Sequence, residues 1–140
     1  MIMQTGLAKF VEIAHALFPK RDVHLRTFHT TFILRGKTVL AIGVNNRKTH
    51  PKNKHLPYIN KHGINYAECA GTHSETSAII KLGEGNCSNY TFVNVRINKQ
   101  GNLAMSKPCT GCQSLLNQVG YKELYFTNTK GEFEKYTTHV

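Results

Sequence analysis

Apolar residues at Leu7, Phe10, Val11, Ala14, Leu17 and Phe18 recur at helical spacing and stop at Pro19, which predicts an amphipathic first helix. Between 25 and 44 the period shortens to two. Phe28, Phe32 and Leu34 alternate on one strand, 38–44 is rich in β-formers, and Arg35-Gly36-Lys37 reads as the hairpin turn between them. The stretch 45–67 has no strong periodicity and holds Pro51, Pro57, Gly63 and several Asn, so it is expected to be one long loop. A second helix is predicted over 72–82, closed by Gly83. The segment 90–97 carries apolar residues on both faces, as a central strand does. A turn follows at 98–102. Pro108 is expected in the first turn of a third helix whose inner face is Cys112, Leu115, Leu116 and Val119, ended by Gly120. Two strands at 124–127 and 133–136 around the turn 128–131 are expected to lie antiparallel.

The order α-β-β-α-β-α-β-β predicts an α/β domain with helices packed on the faces of a mixed five-stranded sheet. At 140 residues the chain is expected to be one domain, 1–140, able to bury a core without disulfides. There is no apolar run of the ~18 residues a membrane helix needs. Residues 1–6 lack a basic and apolar export pattern, so the expectation is a cytoplasmic protein with no membrane partner.

Charge narrows the partners. With 18 Lys and Arg against 8 Asp and Glu, the formal net charge is +10, which favours polyanions or phosphorylated small molecules. A solvated basic surface accounts for the same number. The four cysteines, Cys69, Cys87, Cys109 and Cys112, include a Cys-x-x-Cys pair that points to metal binding or redox chemistry rather than to disulfides. Cys69 and Cys87 read as buried thiols, with a second zinc held by Cys69 and loop histidines the alternative.

Two segments carry the chemistry: Thr72-His73-Ser74-Glu75, opening the second helix, and Pro108-Cys109-Thr110-Gly111-Cys112, opening the third. Cys109 and Cys112, three residues apart, lie on one side of a helical turn, where the helix N-terminus favours thiolates. His73 would complete three protein ligands for Zn²⁺ and leave a fourth position for water. Glu75 is then placed to move that water's protons. Each piece has a plainer reading. Thr72-x-x-Glu75 fits a helix capping box, the cysteines a redox pair, and His73 any surface histidine. The conjunction His-x-Glu and Pro-Cys-x-x-Cys on consecutive helices is the signature of zinc deaminases of nucleobases.

With these motifs, and with Ala41-Ile42-Gly43-Val44-Asn45-Asn46-Arg47-Lys48-Thr49-His50-Pro51, Ser106-Lys107-Pro108-Cys109-Thr110-Gly111-Cys112-Gln113 and Leu124-Tyr125-Phe126-Thr127, the chain resembles the zinc-dependent cytidine and deoxycytidylate deaminases, above all the short bacteriophage members. The likeness runs from about Val39 to the C-terminus. It implies the three-layer α/β/α cytidine deaminase-like fold, with the last two strands antiparallel. It implies zinc as cofactor, His73, Cys109 and Cys112 as its ligands, and Glu75 as the proton shuttle for hydrolysis of cytosine to uracil and ammonia. It implies a sugar contact at Asn45 with Asn46 beside it, and a base contact from the backbone at Thr72 and Ser106. Ser74 stands where many relatives have Ala.

The loop after Asn45 holds Arg47, Lys48, Lys52, Lys54 and Lys61 with no acid before Ala67, so some of these cations are candidates for a 5′-phosphate. The expected substrate is a free nucleoside or its 5′-monophosphate. The alternative is cytosine, or less readily adenine, in single-stranded nucleic acid. Polynucleotide-editing relatives usually insert a helix between the last two strands, where this chain has only the turn at 128–131. By the same resemblance a homo-oligomer is expected.

Overall fold

The computed structural model describes residues 6–25, 27–46 and 73–137. Helix α1 (Ala8–Leu17) runs into a 3₁₀ turn, Phe18–Lys20, which admits Pro19 in its first positions where an α-helix interior would not. Strands β1 (Phe28–Arg35) and β2 (Thr38–Val44) form the predicted hairpin, and Gly36 turns the corner at φ +61°. Helix α2 (Ser74–Leu82), strand β3 (Thr91–Ile97), a two-residue β4 (Leu103–Ala104), helix α3 (Thr110–Val119) and strands β5 (Glu123–Thr127) and β6 (Phe133–Lys135) follow.

The five expected strands form one continuous path, β2-β1-β3-β5-β6, and β4 adds a sixth by pairing with the end of β3. β3 and β5 are parallel, as the intervening α3 requires, while β5 and β6 are antiparallel. Two residues are too few to show a period, which is why the sequence registers only a turn before β4. Pro108 lies before α3 rather than in its first turn. Cys109 is the N-cap, in extended geometry, with its carbonyl accepting the Gln113 N–H.

Alternation along the strands sorts the side chains into two layers. Phe28, Phe32 and Leu34 of β1 join Val93, Val95 and Ile97 of β3 under Phe10 and Ala14 of α1. Ile33 and Phe92 face the other way and pack with Ala78 and Ile79 of α2 and Leu115 and Leu116 of α3. Burying each such Phe, Leu or Ile contributes roughly 1.5–3 kcal/mol. The result is α1, sheet, and α2 with α3: three layers, as expected. No helix among the described residues is long and apolar enough to cross a membrane.

Candidate metal and active site

The register of β1 against β3 grades the face beneath α2 and α3. Ile33 opposes Phe92, Thr31 opposes Asn94, and His29 opposes Arg96. The face is therefore apolar at one end, hydroxyl and amide in the middle, and cationic or imidazole at the other. The N-termini of both helices meet over the polar end. His73 is the N-cap of α2 and Cys109 the N-cap of α3, both extended, so each helix starts on a candidate ligand.

Gly43 of β2 sets how closely α2 approaches. A Cβ at Gly43 would collide with the Ser74 carbonyl oxygen and the Ala78 backbone, so only glycine lets this turn of α2 lie on the strand. Ser74 and Glu75 are consequently buried against the sheet.

His73 Nδ1 lies 3.5 Å from Cys109 Sγ and 3.3 Å from Cys112 Sγ. One donor atom from each of the three residues lies within 4.8 Å of the others. A tetrahedral ion bound at about 2.3 Å to sulfur and about 2.1 Å to nitrogen places S and N about 3.6 Å apart, so the donor set fits zinc in both chemistry and spacing. Hydrogen bonding from Cys112, and next from His73, pulls the Cys109 thiol down to about 3, while the contact with Cys109 raises the His73 imidazole. These are the properties of a pair ready to exchange a proton for a metal ion.

Glu75 is buried, and burial raises its carboxyl above the ordinary carboxylate range against the opposing pull of hydrogen bonds and of His73. Its partners are specific. Asn94 Nδ2 donates to Oε2 at 3.1 Å, and Ser74 Oγ lies 3.2 Å from Oε1. Thr31 Oγ1 stands 2.7 Å from Asn94 Oδ1 and 2.8 Å from Ser74 Oγ. The amide oxygen can only accept, so the single Thr31 proton goes to Asn94, and the Ser74 proton is shared between Thr31 and Glu75. This network fixes the Asn94 amide with its NH₂ toward Glu75. Glu75 lies at the second position of α2 and its carboxylate goes to Asn94 and Ser74, which replaces the capping-box reading.

A cavity of about 320 Å³ opens in front of these groups, lined by His73, Ser74, Glu75 and Cys109 together with His29, Asn45, Asn46, Leu25, Thr27 and Lys107. Among its described lining residues Glu75 is the one acid. His29 is lowered to about 4, chiefly by burial and then by Arg96, so its imidazole is neutral at neutral pH.

The fold thus brings His73, Glu75, Cys109, Cys112, Asn45 and Asn46 to one place. Ser106 sits behind it, its hydroxyl taken up by the Asn94 carbonyl and by Thr127, and its own carbonyl accepts from Asn94 Nδ2. Thr72, Arg47, Lys48 and Cys69 lie outside the described residues. Cys87 is buried, as expected, and burial raises it to about 11. Sequence reading missed Thr31, Asn94, His29 and Lys107. Asn94 did carry a signal, being the one uncharged polar side chain inside the apolar run from Phe92 to Val95.

No protein-family model matches the chain, and no curated protein sequence matches it. Solved structures do. A dCMP deaminase from the cyanophage S-TIM5 in apo form is 16% identical with a TM-score of 0.55, covering 91% of this chain and 86% of that one. The same enzyme in complex with dCMP and dUMP is 15% identical with a TM-score of 0.54, covering 91% and 85%. A cytidine deaminase from Burkholderia pseudomallei is 14% identical with a TM-score of 0.56, covering 93% and 91%. At such identities the likeness is one of architecture, and it agrees with the layers and strand order found here: the chain has the cytidine deaminase-like α/β/α fold.

Proposed function

We propose that the protein is a zinc-dependent deaminase that hydrolyses the C4 amine of cytosine in a free nucleoside or nucleoside 5′-monophosphate, giving the uracil product and ammonia. The observation that carries this reading is the convergence of His73, Cys109 and Cys112 beside a buried, hydrogen-bonded Glu75, at a cavity that His73, Cys109 and Glu75 line. The dCMP and dUMP bound to the cyanophage neighbour support a pyrimidine nucleotide and accord with a phage-type enzyme.

His73 Nδ1 and the two sulfurs would hold the ion. Bound zinc supplies a Lewis acid that brings the pKa of a water molecule from 15.7 toward about 7. Glu75 accepts the proton of the attacking water and delivers it to N3 as the C4–O bond forms. It then takes the proton of the new C4 hydroxyl and passes it to the amine, so that the C4 carbonyl forms, the C4–N bond breaks and ammonia leaves. A carboxyl that must both take and return a proton serves best with its pKa near the working pH, and burial moves Glu75 in that direction. Ser74 and Asn94 hold the carboxylate in place through both phases.

Asn45 and Asn46 line the same cavity as His73, Glu75 and Cys109 and are the residues expected nearest the sugar. Arg47 and Lys48 continue directly from them in the chain, and with Lys107 at the rim they are the cations proposed for a 5′-phosphate. The base would meet the backbone at Thr72 and near Ser106. The short β5–β6 turn, with no helix between those strands, favours a free nucleotide over a polynucleotide. A homo-oligomer in the cytoplasm completes the proposal.

The test is metal analysis of the purified protein together with ammonia release from cytidine, deoxycytidine, dCMP and a cytosine-containing oligonucleotide. One zinc per chain, with turnover of a free nucleoside or nucleotide that Glu75→Gln abolishes while retaining the metal, is expected. Absence of bound zinc, or turnover surviving in Glu75→Gln, refutes the assignment.

A further inference from the structure

Asn45 is engaged in a way that a sugar-binding residue need not be. Its Oδ1 accepts the His29 N–H at 2.9 Å, its Nδ2 donates to the Thr27 carbonyl at 3.0 Å, and its own N–H donates to the His29 carbonyl at 3.2 Å. The carboxamide thereby spans the entry to β1 and pins the backbone on both sides of residue 28. What this holds in place is His29, whose side chain lies on the same face of β1 as Thr31 and lines the cavity with Glu75, His73 and Cys109.

Distance along the strand locates His29 relative to the chemistry. Thr31 lies under Ser74, beside the catalytic carboxylate, and His29 is two residues on, about 7 Å along β1. In a cytosine held with C4 at the ligand triad, N1 and its sugar lie across the ring from C4. An imidazole about 7 Å along the strand from that end lies beyond the ring, at the level of the sugar, and it offers one N–H and one bare nitrogen, the pair that a hydroxyl group can use.

We infer, resting on the deaminase reading above, that His29 is the residue that hydrogen-bonds a sugar hydroxyl of the bound substrate, and that Asn45 is a positioning residue acting on the sugar through His29. This assigns the selectivity for the sugar to the imidazole rather than to the amide.

A cycle between residue and substrate tests it. kcat and KM are measured for wild type, His29→Ala, His29→Asn, Asn45→Ala and the double variant, on dCMP and on 2′,3′-dideoxycytidine 5′-monophosphate, which lacks both ring hydroxyls. Zinc content and circular dichroism verify each fold. Wild type is expected to lose about tenfold in kcat/KM on the dideoxy substrate, and His29→Ala about the same on dCMP through KM, with no further loss on the dideoxy compound. His29→Asn, which keeps a donor and an acceptor, is expected to recover part of the loss. Asn45→Ala is expected to raise KM for dCMP and to add nothing to His29→Ala. If His29→Ala lowers kcat/KM equally on both substrates, or if the Asn45 effect persists in full in the double variant, the inference is overturned. If zinc-loaded wild type releases ammonia from neither of these nor from cytidine or deoxycytidine, the deaminase reading itself falls, and this inference with it; if only the nucleosides turn over, the same cycle is run on deoxycytidine and 2′,3′-dideoxycytidine with the same outcomes.

Discussion

Asn94 faces Glu75 from the neighbouring layer, its Nδ2 donating to Oε2 at 3.1 Å while Thr31 locks the other end of the same amide at 2.7 Å. A carboxylate buried without such a donor would be held protonated by desolvation alone. The pair therefore governs the protonation of Glu75, on which its proposed role as a base depends.

Removing the donor should show in the pH profile. Asn94→Ala withdraws a hydrogen bond to a charged group, about 1.5–3 kcal/mol, which corresponds to a Glu75 pKa higher by about 1–2 units. The acid limb of kcat/KM is expected to move to higher pH by that amount. Asn94→Asp puts a second carboxylate beside the first and should move the limb further. An unshifted limb in Asn94→Ala would show that the amide does not govern Glu75.

The placement of α2 is testable at Gly43. A Val there meets the Ser74 carbonyl oxygen and the Ala78 backbone, neither of which is a flexible side-chain end that can swing aside. Gly43→Val is expected to destabilise the protein by about 1–3 kcal/mol in urea titration. It should reduce kcat by more than its folded fraction explains, because the collision falls on the turn that carries Glu75. A variant of native stability and native kcat would show that α2 does not depend on this approach.

The amino-acid pattern made the layers and the convergence of His73, Cys109 and Cys112 legible for different physical reasons. Helices and strands announce themselves by the period of their apolar positions, and Phe28, Phe32 and Leu34 face α1 as that period requires. A candidate metal-binding motif is legible because ligand chemistry restricts residue type at short range, as with Cys109 and Cys112. The contacts that position Glu75 are of another kind. Thr31 and Asn94 are 63 positions apart, and they meet through the register of two strands, which no local pattern records. The role of Asn45 was hidden likewise, since its partners at Thr27 and His29 lie across the β1–β2 hairpin.

His29 gives a stability prediction with a definite sign. Burial, reinforced by Arg96 and His73, lowers it from 6.5 to about 4, so between those values the unfolded chain carries a proton that the native state refuses. Stability therefore rises with pH across that window and is lost on acidification from pH 6.5 to 4, by up to about 3 kcal/mol. Above pH 6.5 both states are neutral and the contribution is nil. In denaturant titrations of the metal-free protein, His29→Asn should flatten this part of the profile. Equal slopes for variant and wild type would place the acid sensitivity elsewhere.

Metal uptake should carry its own pH dependence, set by the three residues proposed as ligands. Without an ion, Cys109 is held as thiolate by the Cys112 hydrogen bond and by His73, whose imidazole is raised in turn by Cys109. His73 Nδ1 faces both sulfurs, at 3.5 and 3.3 Å, so a proton carried there lies in the space the ion would take. An entering ion must displace it, so affinity for zinc rises with pH until His73 is neutral, by about tenfold per pH unit for each proton released. Calorimetric titration of chelator-treated protein in buffers of different ionisation enthalpy reads that proton directly. Cys109→Ser removes the thiolate that raises His73, and it is expected to weaken zinc binding and to shift this proton release to lower pH. Release unchanged by the substitution would mean that the proton on His73 is not held by Cys109.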